Sequence, residues 1–371
     1  MSLPAERALT QALHEADIEV GGKRPWDIRV HDRRFFDRVL TGGSLGFGES
    51  YMDGWWDAEQ LDELIYRVLK HKLQDRVRIH PALAWNYVRA RFLNPQKWRA
   101  FHVGEHHYDI GNDFYTAMLD KRLTYSCGYW KDAKNLDEAQ EAKLDLICRK
   151  IGLHGGEQVL DIGSGWGSFL HFAAERYGAR GLGVTVSKEQ AAYANAHAGG
   201  LPVETKLQDY RTLDGQFDHV VSVGMFEHVG PKNYRAYMQK VHSLLRDDGY
   251  FLLHTIGGNI SMHDNEPWVE KYIFPHGVIP SIRQIGEATE DIFSMEDWHN
   301  FGPDYDTTLM AWYANFEAQW GLLQGSYDTR FYRMWKYYLL SAAASFRVRY
   351  LQLWQIVFTK IGEKRKYVPV R

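Results

Sequence analysis

A chain of 371 residues is long enough for two domains, and a composition of 45% hydrophobic and 25% charged residues is ordinary for a globular protein. The formal net charge of −3 argues against nucleic acid binding through overall positive charge, and two cysteines exclude a disulfide framework. The N-terminus lacks the apolar core of a signal peptide, and no run reaches the ~18 to 20 apolar residues that span a bilayer. We therefore expect a cytoplasmic protein that meets a membrane only peripherally.

The first hundred residues predict a small helical domain. Apolar residues recur at helical spacing in four segments, residues 5–16, 32–40, 61–73 and 81–92. A glycine-dense stretch at 41–48 predicts a turn after the second of these helices. We assign residues 1–100 to a helical domain that contacts lipid or membrane.

The last part of that domain carries an uneven charge. Residues 76–99 contain six Lys or Arg and no acid, interleaved with aromatic side chains such as Trp85 and Phe92. A basic helix flanked by aromatic residues is typical of an element that lies on an anionic membrane surface. A solvated helix face whose aromatic residues pack inward is the alternative, and the sequence leaves both open.

Residues 101–371 predict a catalytic domain that begins with a polar and aromatic connector at 101–134. The connector contains Tyr125-Ser126-Cys127 and can cover a cofactor only if it folds back. A helix predicted at 136–151 follows, and one face of it carries Ala139, Lys143, Leu146, Ile147 and Ile151.

Strand and helix periods then alternate. Strands are predicted at 158–162, 181–186, 203–207, 217–223 and 250–255, and helices at 168–177, 188–197 and 231–245. This alternation predicts an α/β fold, a doubly wound, Rossmann-like core with a parallel sheet. An insertion at 257–292 is expected to cover the substrate at the carboxyl ends of the strands. The chain closes with a strand at 295–301, helices at 308–322 and 329–350, and a strand at 351–359.

The segment Val159-Leu-Asp-Ile-Gly-Ser-Gly-Trp-Gly167 predicts a strand, a tight turn and a helix start, which together expose backbone N–H groups to a nucleotide-like ligand. The second strand ends at Thr185 and Val186 without the acid that holds the ribose of a dinucleotide, which counts against NAD. Asp209, after the third strand, is placed to accept from an adenine amino group, although a turn-forming role is the alternative. Asp161 followed by Gly-x-Gly-x-Gly resembles motif I of the S-adenosylmethionine-dependent methyltransferases.

Three further groups stand at or near the ends of strands, where they can hold a small anion or move a proton. They are Cys127, Glu227 and His254. Each has a structural alternative, because a Cys is often simply buried, a Glu can cap a helix and a His can be a satisfied core residue. No zinc-ligand spacing and no Gly-x-Ser-x-Gly motif occur, so we expect no metal.

Longer motifs make the resemblance specific. They are Gly43-Ser-Leu-Gly-Phe-Gly-Glu-Ser-Tyr-Met-Asp-Gly-Trp-Trp56, Tyr125-Ser-Cys-Gly-Tyr-Trp130, Gly224-Met-Phe-Glu-His-Val-Gly-Pro-Lys-Asn-Tyr234, His254-Thr-Ile-Gly257, Lys271-Tyr-Ile-Phe-Pro275, Met295-Glu-Asp-Trp-His-Asn-Phe301 and Asp304-Tyr-Asp-Thr-Thr-Leu-Met-Ala-Trp312. Together they resemble the cyclopropane-fatty-acyl-phospholipid synthases. The N-terminal motif favours these enzymes over the shorter, related mycolic acid cyclopropane synthases.

The resemblance implies transfer of a methylene group from S-adenosylmethionine to a cis double bond of a phospholipid acyl chain, with bicarbonate as the base. It implies a homodimer at the inner face of the membrane. Its implied cofactor ligands are Tyr125, Ser126, Asp161, Gly163, Gly165, Gly167, Thr185, Val186, Gln190, Gln208 and Asp209. The implied bicarbonate ligands are Cys127, Glu227, His254, the Ile256 backbone and Tyr305.

Two other functions stay open at this point. One is a related lipid methyltransferase that leaves a methyl branch or a hydroxyl group. The other is a non-catalytic module that binds a lipid or a nucleotide, which would predict degraded ligand positions. Some relatives carry a cysteine in the helix that corresponds to residues 329–350, but residues 337–342 here contain none, so a nucleophilic cysteine at that place has no part in the mechanism.

Overall fold

The computed structural model describes residues 3–73 and 110–371. The helix expected at 81–92, the basic stretch at 76–99 and the domain boundary expected at residue 100 lie outside the described residues. The described chain divides into two compact units, and each unit combines separate stretches of sequence.

The described helices are α1 (Leu3–Glu15), α2 (Arg34–Met52), α3 (Leu61–Lys70), α4 (Asn112–Met118), α5 (Leu136–Lys150), α6 (Ser168–Tyr177), α7 (Lys188–Ala196), α8 (Tyr234–Leu244), α9 (Pro267–Tyr272), α10 (Ile282–Thr289), α11 (Pro303–Leu323) and α12 (Thr329–Arg347). The described strands are β1 (Arg29–Val30), β2 (Trp56–Asp57), β3 (Gln158–Ile162), β4 (Arg180–Thr185), β5 (Val203–Leu207), β6 (Phe217–Val223), β7 (Leu245–Gly258), β8 (Phe293–Asn300) and β9 (Leu351–Lys360).

The α/β unit comprises residues 110–263, 276–308 and 352–371. Its seven-stranded sheet has the order β5-β4-β3-β6-β7-β9-β8, and the pairs from β5 to β7 are parallel. β8 pairs antiparallel with β9, so the prediction of a parallel sheet is wrong for this last pair. Helices α11 and α12, with 21 and 19 residues, return the chain to the end at which β8 stops, and β9 therefore runs the opposite way.

Both faces of the sheet are buried at its central strands, such as β3 and β9, which explains their nearly continuous apolar runs. The edge strands β5 and β8 are partly exposed and more polar. Leu160 and Val220 pack on the face that includes α8 and α10. Their neighbours Val159 and Val221 pack on the opposite face, against α5 and α6. Successive side chains of a strand alternate between faces, so the two helical layers each receive half of every strand. The doubly wound core is confirmed.

The helical unit comprises residues 3–73, 264–275 and 309–351. The sequence assigned only its N-terminal part to a helical domain, whereas α9, α12 and most of α11 pack there too. An aromatic cluster forms much of its core, with Phe35, Phe47, Tyr51, Trp56, Trp268 and Tyr337 in contact. Buried Glu49 accepts hydrogen bonds from Lys271 Nζ at 2.6 Å and from the Tyr272 hydroxyl at 2.8 Å.

The turn predicted at residues 41–48 is instead part of α2, which bends at Gly43 (φ 56°, ψ −136°). Two glycines beyond the bend permit close packing. A Cβ on Gly46 would lie 2.2 Å from the Arg38 carbonyl oxygen, and one on Gly48 would lie 2.4 Å from the Trp268 ring. The glycines therefore mark close contacts along a helix, which sequence spacing alone does not distinguish from a turn.

Candidate active site

The site lies in the α/β unit, at the carboxyl ends of β3, β6 and β7. β3 and β6 are adjacent, yet α6 follows β3 on one face of the sheet and α8 follows β6 on the other. The loops that leave these two strands therefore diverge and open a crevice between them. In doubly wound folds such a switch point is where ligands bind.

The loop after β3 forms a cradle of backbone. Gly163, Gly165 and Gly167 all have positive φ, at 89°, 55° and 84°. The N–H groups of Gly163 and Ser164 donate to the Val184 carbonyl at 2.9 and 3.0 Å, which ties the loop to β4. A Cβ on Gly165 would meet no atom within 4 Å, so it would project into open space beside the loop. The predicted strand, glycine turn and helix are confirmed.

Asp161, on β3 just before this loop, is 2% exposed. Its Oδ1 has no hydrogen-bond partner among the described residues. Burial raises the pKa of this carboxyl to about 7, although the Ser164 hydroxyl and the Lys143 ammonium act in the opposite direction. A buried carboxyl oxygen without a partner is costly, and a donor on a ligand would satisfy it.

The connector folds back onto the cradle, as a cofactor cover requires. The Tyr115 ring, on α4, lies 5.4 Å from that of Tyr125 and 4.9 Å from that of Trp166 in the glycine loop. Ser126, the residue after Tyr125, is buried and lies against Gly224 at the end of β6. Tyr125 and Ser126 are thus near the ends of β3 and β6, where the sequence predicted them to act.

The other predicted cofactor residues gather at the ends of β4 and β5. The Thr185 hydroxyl donates to Gln190 Oε1 at 2.9 Å, and the Gln208 backbone N–H donates to the Thr185 carbonyl at 3.0 Å. Val186 is half-buried beside them. The Asp209 carboxylate accepts from the backbone N–H and the guanidinium of Arg211. Its contact with an adenine amino group stays a prediction, and the turn-forming alternative is visible in the structure.

Glu227 follows β6 in a single 3-10 turn and is 8% exposed. Its Oε1 accepts from the Ile256 backbone N–H at 2.6 Å, while Oε2 is buried with no hydrogen-bond partner in the part of the chain that the structure describes. Burial raises the pKa of this carboxyl to about 7. The Ile256 amide therefore fixes Glu227, and a carboxyl group with that pKa can present either a proton or a charge from Oε2.

His254, on β7, has an unpartnered ring nitrogen of the same kind. Its Nε2 is buried and has no hydrogen-bond partner within the described ranges, and its Nδ1 lies 3.3 Å from Gln355 Nε2. Burial lowers the pKa of His254 well below its usual value, and the ammonium groups of Lys143 and Lys150 lower it further. The imidazole is therefore neutral at pH 7. Phe301 forms a wall beside it, with ring centroids 5.9 Å apart.

Cys127 is fully buried, and burial raises the pKa of its thiol well above the usual value. Its Sγ donates to the Gly128 carbonyl at 3.1 Å and lies 3.9 Å from the Thr308 hydroxyl. A protonated thiol is a weak hydrogen-bond donor and a poor nucleophile. Tyr305 is buried in the first turn of α11, the turn that ends at Thr308.

Thr308 is a structural residue of the site that the sequence did not single out. Its hydroxyl oxygen accepts from the Gly128 N–H at 3.1 Å and from Trp130 Nε1 at 2.9 Å, and it donates to the Asp304 carbonyl at 2.8 Å. Asp304 in turn accepts from the Trp130 N–H at 2.7 Å. These bonds hold the Cys127 segment against α11.

Two more residues were missed as parts of the site, Lys143 and Gln355. Both are fully buried, and they contact Ser126 and His254 respectively. The sequence could have identified Lys143, because a lysine within the apolar stripe of a predicted helix is expected to be buried with a partner. Gln355 carried no such signal beyond its position in a buried strand.

The residues present fit the two ligands that the sequence predicted. The open space beside Gly165 and the unpartnered Asp161 Oδ1 suit S-adenosylmethionine. The unpartnered atoms of Glu227 and His254 suit a small oxyanion. Within residues 3–73 and 110–371 no three His, Cys, Asp or Glu side chains are grouped as metal ligands would be. In the same ranges no helix has the length and apolar character that crossing a bilayer requires.

Comparison with known proteins agrees with this geometry. The chain is 51% identical to the cyclopropane-fatty-acyl-phospholipid synthase of Escherichia coli strain K12 over 355 residues, which cover 95% of this chain and 93% of that protein. It is 34% identical to the tuberculostearic acid methyltransferase UfaA1 of Mycobacterium tuberculosis, over 88% of this chain and 81% of that protein.

Solved structures give the same result. The cyclopropane synthase MmaA2 of Mycobacterium tuberculosis superposes with a TM-score of 0.66 at 30% identity, covering 70% of this chain and 98% of that one. The mycolic acid cyclopropane synthase CmaA1, complexed with S-adenosylhomocysteine and CTAB, superposes with a TM-score of 0.66 at 32% identity and the same coverage. The fold is therefore that of an S-adenosylmethionine-dependent methyltransferase. Residues 95–356 match the family model for mycolic acid cyclopropane synthetase, and the chain belongs to that family.

Proposed function

We propose that this enzyme adds a methylene group from S-adenosylmethionine across the cis double bond of an unsaturated acyl chain in a membrane phospholipid, and so forms a cyclopropane ring. The observation that carries the proposal is the pair of buried, unpartnered atoms, Glu227 Oε2 in the turn after β6 and His254 Nε2 on β7. β6 and β7 are the two strands that follow the cradle strand β3 in the order of the sheet. The 51% identity to a cyclopropane-fatty-acyl-phospholipid synthase supports the phospholipid substrate.

The cofactor supplies an electrophilic methyl group, and the protein has to align that group with the alkene. An unactivated alkene is a weak nucleophile, so positioning accounts for much of the rate. The backbone cradle at Gly163–Gly167 and the cover at Tyr125 and Ser126 are suited to hold the sulfonium end in one orientation. Loss of one proton from the transferred methyl group then closes the ring, so the net gain is one CH₂.

Aromatic side chains near His254 suit this chemistry. Attack on the methyl group leaves a positive charge on the acyl chain, and the electron-rich faces of aromatic rings stabilise a cation and exclude water. Phe301 contacts the His254 ring, and its centroid lies 5.3 Å from that of Tyr129, so the two aromatic rings can form such a wall beside His254.

The proton requires a base beside the methyl group, and we propose bicarbonate for this role. Neutral His254 can donate to the anion from Nε2. The protonated form of Glu227 can donate to it from Oε2 while Oε1 accepts from the Ile256 N–H. Cys127, Tyr305 and the Ile256 backbone complete the proposed set of ligands. The Cys127 thiol is protonated and does not fit a covalent role. To donate to the anion, it would turn its single S–H away from the Gly128 carbonyl.

We further propose that the enzyme is a homodimer that works at the cytoplasmic face of the membrane, where residues 76–99 meet anionic lipid. The support is the charge of that stretch together with the need to draw an acyl chain from the bilayer. No nucleic acid partner is proposed, because the charge is local and the chain as a whole is slightly acidic.

The reaction class is tested by mass spectrometry of phospholipid acyl chains after incubation with enzyme, S-adenosylmethionine and bicarbonate. We expect a gain of one CH₂ with loss of the double bond to ozonolysis. A retained double bond, a methyl branch or a hydroxyl group would favour the related methyltransferase instead. The resemblance to a tuberculostearic acid methyltransferase makes this comparison necessary.

Glu227→Gln tests the proposed base site. Since general-base catalysis contributes roughly 10²- to 10⁴-fold, we expect ring formation to fall by at least ~100-fold. Calorimetry should show S-adenosylmethionine binding close to that of the unmodified enzyme, because Glu227 faces the anion and not the cradle. Normal cyclopropane yield from Glu227→Gln would refute the proposed role of Glu227.

A further inference from the structure

Lys143, on α5, is a fully buried cation with few partners. Its side chain is 0% exposed, and Nζ donates to Ser126 Oγ at 2.7 Å. Among the described residues it forms no ion pair and no other hydrogen bond. An ammonium group has three N–H bonds, so two of them are left for other partners. Burial lowers the pKa of Lys143 to about 8, which keeps it charged at pH 7.

A second buried lysine on the same helix shows what a structural role looks like. Lys150, seven residues further along α5, is also 0% exposed. Its Nζ lies 3.6 Å from Asp297 Oδ2 and 3.1 Å from His299 Nδ1. Lys150 therefore has a carboxylate within ion-pair distance, which it shares with Arg371, whereas Lys143 has no such carboxylate among the described residues. Burying an unpaired charge is expensive, which indicates that Lys143 is retained for a ligand.

The nearest carboxyl groups do not supply the missing partner. Asp120 is committed to its own turn, where it accepts from the backbone N–H groups of Arg122 at 3.0 Å and Thr124 at 2.7 Å. Asp161 is close enough to affect Lys143 electrostatically, but the two form no ion pair within the described residues. Its Oδ1 is buried without a hydrogen-bond partner.

Lys143 and Asp161 together complement a zwitterion. The methionine part of S-adenosylmethionine carries an α-carboxylate and an α-ammonium group on one carbon. A buried carboxyl group and a buried ammonium group, close to each other but not joined, offer the matching charges for such an amino acid. The open space beside Gly165 lies after the same strand that carries Asp161.

The hydrogen bond from Lys143 orients the Ser126 hydroxyl group. A lysine ammonium only donates, so Ser126 Oγ must accept from Lys143, and the hydroxyl proton is free to point to another acceptor. Gln140 Nε2 donates to the Ser126 carbonyl at 2.7 Å and fixes the backbone of the residue. Helix α5 thus holds Ser126 at two atoms.

We propose that Lys143 is a positioning residue for the cofactor: it orients the Ser126 hydroxyl as a donor to the α-carboxylate of S-adenosylmethionine and supplies the positive charge opposite that carboxylate. This inference rests on the proposed cofactor role of Ser126. Bicarbonate is the other anion of the site, and the experiment separates the two.

The test is calorimetry on Lys143→Met with two ligands. S-adenosylmethionine has the carboxylate, and decarboxylated S-adenosylmethionine keeps the sulfonium, the nucleoside and the amine without it. A lost charge-assisted hydrogen bond should weaken S-adenosylmethionine binding by roughly 10- to 100-fold. Affinity for the decarboxylated ligand should not fall. The melting temperature without ligand should be unchanged or higher, because a buried, unbalanced charge has been removed.

Lys150→Met is the matched control. It removes a buried lysine from the same helix, while Asp297 keeps its ion pair with Arg371, so we expect unchanged affinity for both ligands. If Lys143→Met does not fold, Lys143→Gln and Ser126→Ala take its place in the same measurements. Ser126→Ala should also lose affinity selectively for S-adenosylmethionine, and the double variant Lys143→Gln with Ser126→Ala should lose less than the sum of the two single losses.

Two results would overturn the proposal. One is an equal loss of affinity for both ligands, which would indicate a general structural role. The other is undiminished affinity for S-adenosylmethionine; if ring formation then required more bicarbonate, Lys143 would be assigned to bicarbonate. Failure of the unmodified enzyme to bind S-adenosylmethionine would instead contradict the cofactor assignment itself.

Discussion

Burial acts on the ionisable groups of the site in opposite directions, and the result is a site suited to anions. It raises the pKa of the Asp161 and Glu227 carboxyl groups to about 7 and lowers the pKa of His254 well below its usual value. Lys143 remains charged at pH 7 because its pKa, although lowered by burial, is about 8. A positive charge beside carboxyl groups that are about half protonated at pH 7 and a neutral imidazole would suit the proposed carboxylate and bicarbonate ligands.

Gln355 sets the tautomer of His254, and this can be tested. An amide NH₂ only donates, so Gln355 Nε2 requires Nδ1 of the ring to be the acceptor and leaves the proton on Nε2, the atom that is free to bind an anion. Gln355→Leu leaves a buried Nδ1 unsatisfied, which costs about 1–3 kcal/mol, so we expect ring formation to slow by roughly 10- to 100-fold. ¹⁵N NMR of the His254 ring should show loss of the single Nε2–H tautomer.

Gln352→Leu is the control for this experiment. Gln352 lies on the same strand and contacts Asn300. That variant should keep both the His254 tautomer and the bicarbonate dependence of the rate. An unchanged ¹⁵N spectrum of His254 in Gln355→Leu would contradict the assigned role of Gln355.

For single residues, the sequence predicted which side chains lie at the site better than it predicted their hydrogen-bond partners. Glu227 and His254 follow or end predicted strands, and the rule that ligands bind at carboxyl ends of parallel strands was enough to bring them together. Gln355 and Thr308 reach the site from 101 and 181 residues away from their partners His254 and Cys127. Such pairs depend on which strand lies beside which and on how α11 packs, and neither follows from periodicity.

At the scale of elements, glycine illustrates what a local pattern can decide. Strand β3 and helix α6 were predicted with the bounds that the structure has, because an apolar run, three spaced glycines and an amphipathic segment all favour one arrangement. In α2 the same residue type predicted a turn and proved to serve helix packing against Trp268. The partner ring comes from a distant segment, so the local pattern could not reveal it.

The open space beside Gly165 predicts that this loop can be altered selectively. In Gly165→Ala the new methyl group occupies the proposed cofactor space, and a non-glycine residue at φ 55° adds backbone strain of about 1 kcal/mol. We expect a small loss in the free energy of unfolding and a loss of S-adenosylmethionine affinity of more than ~10-fold by calorimetry, since a clash in a packed site costs about 1–3 kcal/mol.

Gly152→Ala is the matched control for that variant. Gly152 also has positive φ, at 60°, and a Cβ there also meets nothing within 4 Å, but it follows α5 and lies away from the glycine loop. Denaturant unfolding should show a similar stability loss for both variants, and calorimetry should show weaker binding only for Gly165→Ala. Equal affinity in both variants would mean that the cofactor does not approach Gly165.

At the scale of the molecule, the sequence predicted the classes of element but not their grouping. Nothing in the local patterns of the helices within residues 309–351 indicates that they join the N-terminal helices in one unit. The direction of β9 could not be predicted from a local pattern either. A strand pattern has no direction, so only the connection through α11 and α12 makes the last pair antiparallel.

The uneven charge of the chain leads to a prediction for the whole enzyme on membranes. Each Lys or Arg near an anionic surface contributes about 1 kcal/mol, so reversing Arg89, Arg91 and Arg99 to Glu should weaken sedimentation with phosphatidylglycerol vesicles by ~100-fold or more at low salt. Neutral phosphatidylcholine vesicles should bind the enzyme weakly and show little difference between the two proteins.

A control variant reverses Arg235 and Arg283, which are exposed arginines of the α/β unit. It has the same kind of charge change outside the basic stretch and should sediment almost normally. Unchanged sedimentation of the first variant would favour the solvated-face interpretation of residues 76–99, and cyclopropane formation on detergent-dispersed lipid would then be unaffected as well.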